Sequence, residues 1–271
     1  KKIKSLAKKY KNISMLSHTH GQPASPTTLG KEIMNFYKRI ELQLNDLMKI
    51  TIKGKFNGAT GNYSAHKVTY PKVNWPNKTK AFLKSLNIEI NTHTTQIEPH
   101  DYIADICYKI NHINSILIGL SQDFWTYISK NYFIQKNIKG EIGSSTMPHK
   151  INPINFENAE GNLGMSNALT QFFSHKLTIS RLQRDLSDST VLRNLGLVFS
   201  YSIIAYKNLL LGLNKIDANK NAISTDLDNC WEILAEPIQM IARKYNISNS
   251  YEILKKFTRG KNVDEETIKD I

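Results

Sequence analysis

PHDYIADICYKINHINSILIGLSQDFWTYISKN, residues 99–131, decides the fold. Ile103, Ile106, Ile110, Ile113, Leu117, Leu120, Phe124 and Tyr127 recur at alternating spacings of three and four. That period is the apolar seam of a helix packed in a bundle. Pro99 suits a helix start, because its missing N–H is not needed in the first turn. At 1.5 Å per residue the stretch would be about 45–50 Å long, far beyond an ordinary globular helix. A helix of that length needs other long helices against it.

Two more such helices are expected on either side. One begins near Pro26-Thr27-Thr28 and carries Leu29, Ile33, Phe36, Ile40, Leu44, Leu47 and Ile50 on one face. The other spans about Thr190–Leu213, with Val191, Leu195, Val198, Ile203 and Tyr206 inward. Shorter helices are expected near residues 158–176 and 226–245, the latter kinked or divided at Pro237. FNGATGNYSAHKVTYPKVNWPNKT, residues 56–79, reads as an extended connection, being rich in Gly, Asn and Pro. No set of strands stands out, so the expected class is all-α: a long-helix bundle over residues 1–213, with a smaller helical domain over 214–271.

Composition bounds the function. In 271 residues, 40% are hydrophobic and 22% charged, the balance of a globular chain. No apolar run approaches bilayer length, and the basic opening lacks the apolar core of a secretory leader. Cys107 and Cys230 lie far apart in apolar helical patterns, as expected of buried, reduced thiols in a cytoplasmic setting. A net charge of +13 suits either nucleic acid or anionic substrates. The lysines are dispersed and no ordered nucleic-acid motif accompanies them, which favours solvated helix surfaces. No nucleotide-binding glycine motif is present, and no cofactor is implied.

Four polar clusters interrupt the apolar pattern. Ser17-His18-Thr19-His20-Gly21-Gln22-Pro23 reads as a rigid turn holding one imidazole, the side chain suited to proton exchange near neutral pH; taken alone, His20 reads as structural rather than catalytic. Residues 94–101, TTQIEPHD, stand at the mouth of the longest helix, either as plain caps or as donors for an anion. GEIGSSTMPHKINPINFENAE, residues 140–160, cannot be one uninterrupted helix with Pro148 and Pro153 around Lys150 and Asn152. It reads as a loop closing over an acidic substrate, or as an ordinary surface connection. In SRLQRDLSDSTVLRN, residues 180–194, Arg184, Ser189 and Arg193 make a phosphate grip, unless the arginines are spent on Asp185 and Asp188 in surface salt bridges.

Together the four clusters resemble the adenylosuccinate lyases of the fumarase/aspartase superfamily. GSSTMPHKINP, residues 143–153, is similar to the superfamily's signature loop. THGQPASPTTLGKE, NGATGNYSAH, TTQIEPHDYIAD, QRDLSDSTVLRNLG, LAEPIQ and TRGK are similar to the adenylosuccinate members, over nearly the whole chain. The resemblance implies β-elimination of fumarate from a succinylated purine nucleotide or carboxamide ribotide. It implies Ser144 as general base, with Lys150 and Asn152 meeting the succinyl carboxylate, and His20 as general acid paired with Glu157. It further implies Thr19, Gln96 and Asn158 as substrate contacts, and Arg184, Ser189 and Arg193 as the nucleotide-binding set. Family members form homotetramers whose sites draw residues from three subunits, so His20 and Ser144 of one chain are expected to act in different sites. They also begin with a further domain, which this chain is expected to lack, and the C-terminus is expected to stop early. Argininosuccinate lyase is the alternative within the superfamily, disfavoured because its substrate has no phosphate for the two arginines. A non-enzymatic basic helical scaffold for nucleic acid or a partner is the alternative outside it.

Overall fold

The computed structural model describes residues 1–136, 146–261 and 263–270. In chain order the first elements are α1 (Lys2–Lys9), β1 (Ser14–Thr19), β2 (Gln22–Thr28) and α2 (Leu29–Leu47). Next come β3 (Lys53–Gly54), α3 (Ser64–Thr69), α4 (Trp75–Ser85), β4 (Glu89–Ile90), α5 (Asp101–Ser129) and β5 (Phe133–Gln135). The remainder is α6 (Ile154–Lys176), α7 (Ser187–Leu192), α8 (Leu195–Lys215), β6 (Ile216–Ala218), α9 (Lys220–Asp228), a 3₁₀ turn (Trp231–Leu234), α10 (Ala235–Lys244), α11 (Ser250–Thr258) and α12 (Glu265–Lys269). The class is helical, as expected. The strands form only two-stranded pairs, β1–β2 and β5–β6 antiparallel and β3–β4 parallel.

The chain divides into two compact units, one of residues 38–123 and 154–212, the other of 1–37, 124–153 and 213–271. In the first, α5, α6 and α8 supply the core. Cys107, Ile110, Phe173, Leu177 and Val198 are buried together, with Ile103, Ile106, Leu169 and Leu195 packed against them. Full burial of each such side chain contributes about 1.5–3 kcal/mol. Burial also pushes the Cys107 thiol up to about 11, so it stays protonated near neutral pH. Beside this apolar layer lies a buried polar one. Asn114 donates to Ser166 (3.1 Å) and Ser202 (3.2 Å) and accepts from the Tyr206 hydroxyl (2.6 Å), while the two serines bond each other at 2.8 Å. Apolar seams alone can slide, whereas this satisfied network has one register.

The other unit is organised by the β1–β2 hairpin. Its turn is His20-Gly21, both at positive φ (54° and 73°), between the paired residues Thr19 and Gln22. Two consecutive positive φ values are what a tight two-residue hairpin requires, and they explain the Gly. Asp217 in β6 accepts from Lys9 and from the Tyr10 hydroxyl (2.9 Å) at the end of α1, and Tyr132 donates to Asp226 in α9. Gly30 lets α2 approach α1: a Cβ there would stand 2.4 Å from the Ala7 carbonyl.

Several expectations need correction. The stretch 56–79 is not merely extended. It contains α3 and the start of α4, which Asn74 caps by accepting from the Asn77 N–H at 3.1 Å, with Pro76 in the first turn. Pro237 divides nothing, because it lies in the first turn of α10; the break falls before the 3₁₀ turn instead. The helix expected from Thr190 is interrupted between Leu192 and Leu195, and Ile203 is half exposed, while Ser202, Ala205 and Leu209 face the core. α2 ends at Leu47, short of Ile50, and its Leu44 is exposed. Cys230 is half-buried in a turn rather than in a helix. Residues 187–215 are long and apolar enough to span a bilayer by length and composition, against the expectation that no apolar run approaches that length. Within the bundle unit, Ser202 and Tyr206 of α8 bond Asn114 of α5, and residues 193–194 separate α8 from α7.

Candidate active site

In the bundle unit, β3 and β4 run side by side, the Asn91 N–H donating to the Gly54 carbonyl at 2.8 Å. The chain leaving β4 lines a cleft of about 530 Å³ before entering α5, and the other wall is α7 with its flanks. Gln96, Arg184, Ser189 and Arg193 all line this cleft. They come from separate stretches of sequence, and the fold brings them together. Lys55, Glu98, His100 and Asp188 line it as well.

The rival readings of residues 180–194 each hold for part of the cluster. Arg181, 82% exposed, pairs with Asp185 at 3.3 Å on the surface. Asp185 also accepts from the Ser187 N–H (2.8 Å) and hydroxyl, and the two bonds hold its carboxyl well below the usual carboxylate range. Arg184 is half-buried; its Nε donates to the Asp185 carbonyl at 3.0 Å, and its guanidinium stands 3.8 Å from Asp188. Arg193 is exposed, caps the end of α7, and has no ion-pair partner among the described residues. Two guanidiniums and a hydroxyl at one cleft are suited to an anionic group, which arginine binds through paired N–H donors.

Ahead of α5, Thr94 exchanges hydrogen bonds with the Asn57 side chain, and Glu98 accepts from the His100 N–H at 2.8 Å. The His100 ring lies between Glu98 (3.9 Å) and Asp188 (3.4 Å). The Asp188 side chain is only 4% exposed, and one of its oxygens has no hydrogen-bond partner among the described residues.

The residues expected to carry the chemistry are not gathered in the same way. Thr19 and His20 are exposed on the hairpin and its turn. His18, the neighbouring imidazole, is committed elsewhere: its Nε2 lies 2.7 Å from the Lys130 ammonium. Burial first, and then that positive charge, lower its pKa. Lys150 is exposed and Asn152 half-buried, just before α6, and the Gln135 side chain secures the intervening Ile151 carbonyl at 2.7 Å. Glu157 and Asn158 are exposed in the first turns of α6, and Asn158 accepts from Asn162. Ser144 lies outside the described residues. Of the cleft residues, Glu98, His100 and Asp188 sat inside clusters already noted, whereas nothing in the sequence pattern marked Lys55.

The family model described as "Lyase" matches residues 1–166, and one described as "Adenylosuccinate lyase C-terminal" matches residues 180–271. The chain belongs to the lyase family, and its fold is that of helical enzymes of this class. A fumarate lyase from Mesorhizobium sp. BNC1 superposes with a TM-score of 0.74 at 15% identity, covering 99% of this chain and 59% of that one. A 3-carboxy-cis,cis-muconate lactonizing enzyme from Pseudomonas putida gives 0.73 at 17%, covering 95% and 58%. Within the family, the similarity is to adenylosuccinate lyases, bearing out the resemblance carried by the sequence blocks. The Buchnera aphidicola (Schizaphis graminum) enzyme is 58% identical over 97% of this chain, and that of Escherichia coli K12 54% identical over 98%. The chain spans 58–59% of the length of these relatives.

Proposed function

We propose that the protein cleaves a C–N bond by β-elimination, converting adenylosuccinate to AMP and fumarate, and succinylated carboxamide ribotide to its free carboxamide and fumarate. Ser144 removes the proton from the carbon adjacent to the one that bears the nitrogen. A serine hydroxyl does this only where positive charge stabilises its alkoxide, a field that Lys150 supplies. Asn152 orients the succinyl carboxylate. Electrons from the broken C–H bond form the fumarate double bond as the C–N bond breaks. His20, paired with Glu157, gives its proton to the departing nitrogen. His20 rather than His18 fits this role, since the Lys130 ammonium already occupies the His18 ring nitrogen.

The observation that carries the reading is the convergence of Gln96, Arg184, Ser189 and Arg193 on one cleft, which suits a phosphorylated substrate. Thr19 and Asn158 join this set as substrate contacts. The exposed apolar side chains Leu42, Leu44 and Met48 on and after α2, and Phe199, Ile203 and Leu211 on α8, suit burial against further copies. A homotetramer with shared sites, in the cytoplasm, follows from this reading, with residues 214–271 as part of a C-terminal helical domain. The test is fumarate release by the natural protein that carries this sequence. Turnover of adenylosuccinate is expected; turnover of argininosuccinate alone would overturn the assignment.

A further inference from the structure

The NGATGNYSAH block has no part in the chemistry above, yet it holds the segment that carries Gln96 at several points. Asn57, 1% exposed, trades hydrogen bonds with Thr94 at 2.9 and 3.1 Å. Gly61, at a φ of +80°, lies so close that a Cβ would stand 1.9 Å from the Thr94 carbonyl. Just ahead of the block, the Lys55 ammonium donates to the Gly58 carbonyl (2.8 Å) and to the Gln96 carbonyl (2.6 Å). The Asn57 contact ends at Thr94 and the Gly61 contact at Thr95; of the three, Lys55 alone reaches Gln96.

Lys55 is an unusual tether. It has no carboxylate partner among the described residues, and it lines the cleft together with Gln96, Arg184 and Arg193. Burial lowers its pKa, and what faces its ammonium is a pair of backbone carbonyls rather than a counter-ion. A charged donor is roughly twice as strong as a neutral one, which suits it to fixing a segment that has no helix or sheet of its own there.

We propose that Lys55 is a positioning residue that bridges the Gly58 and Gln96 carbonyls and so aims the Gln96 side chain at the nucleotide. This rests on the functional reading above for its kinetic consequence, but not for its structural one. The kinetic test is a double-mutant cycle of K55M and Q96A in the natural protein, following fumarate release from adenylosuccinate. A lost charged hydrogen bond corresponds to roughly a tenfold loss in kcat/KM for K55M. The double variant is expected to be no worse than Q96A alone, because Lys55 acts through Gln96. Losses that multiply, or a K55M enzyme within about twofold of wild type, would overturn the proposal.

Hydrogen exchange supplies a readout that needs no turnover. K55M is expected to quicken amide exchange at residues 94–98 while α5 beyond Ile110 keeps its protection; unchanged exchange at 94–98 would overturn the proposal. Should K55M fail to fold, K55Q, which retains a neutral donor, takes its place in both measurements with a smaller effect of the same sign. Failure of the functional reading looks different: wild type then releases no fumarate, or Q96A is as active as wild type, while the exchange result stands by itself.

Discussion

The cleft and the hairpin turn solve opposite problems. At the cleft, residues from the β4–α5 connection and from α7 are drawn to one cavity by the packing of α5, α6 and α8. At the turn, His20 is exposed, and the fold fixes its backbone but gives its ring no partner among the described residues. A group that grips a ligand can be assembled by one chain. On the proposed mechanism, a group that exchanges a proton in a shared site is presented outward on a stiff support. The difference predicts that affinity and turnover respond to different substitutions.

The largest expected effect is on turnover. His20→Ala or Ser144→Ala should lower kcat by about 10²–10⁴-fold, the usual worth of a general acid or base. AMP affinity, measured by calorimetry, should move by no more than about threefold (roughly 0.65 kcal/mol). Comparable losses in both quantities would erase the distinction between the regions.

Next in size is the grip. Arg193→Ala should raise KM for adenylosuccinate about tenfold to a hundredfold, as expected for a charged hydrogen bond worth roughly 1.5–3 kcal/mol. With the phosphate-free nucleoside as ligand, wild type and variant should bind alike. Gly61→Ala sharpens the same point from a distance, since its methyl must displace the Thr94 carbonyl. It should raise KM more than it lowers kcat in steady-state assays.

The smallest effect belongs to the unit that carries the hairpin. Hydrogen bonds from Lys9 and Tyr10 hold the Asp217 carboxyl well below the usual carboxylate range. A depressed folded-state pKa gives stability that is present above the unfolded value of about 3.9 and lost as pH falls below it. The Asp217 side chain is 45% exposed, so solvent screens the pair and the contribution is under about 1 kcal/mol. Asp217→Asn should therefore lower the urea midpoint slightly at pH 7, and the gap from wild type should shrink as the pH is lowered through 4 towards 2.

The long helices were legible because their period runs far enough to exclude other structures. Of the α5 seam, Ile110, Ile113, Leu117, Leu120 and Phe124 are buried as expected. The errors fall where local chemistry competes with period. Asn74 and Pro76 start a helix inside a stretch whose Gly and Asn content read as loop. Ile203 looked inward by hydrophobicity, but the buried polar layer of Asn114, Ser166 and Ser202 turns that face of α8 towards the core and leaves Ile203 outside. At the site, Gln96, Arg184, Ser189 and Arg193 could be chosen because motifs carry their spacing. Lys55 could not, since its role depends on a parallel strand pair that only the folded chain creates. Arg181 and Arg184 are three residues apart in the same motif, and only the fold separates the surface ion pair from the cleft.

On the proposed mechanism, proton donor and proton acceptor come from different copies of the chain. Mixing inactive His20→Ala and Ser144→Ala proteins, after brief mild denaturation to exchange subunits, addresses it directly. Fumarate release well above that of either variant alone is the predicted result, because some mixed assemblies contain sites with both groups intact. A mixture that remains at the level of its two components, while wild type treated the same way regains activity, would contradict it.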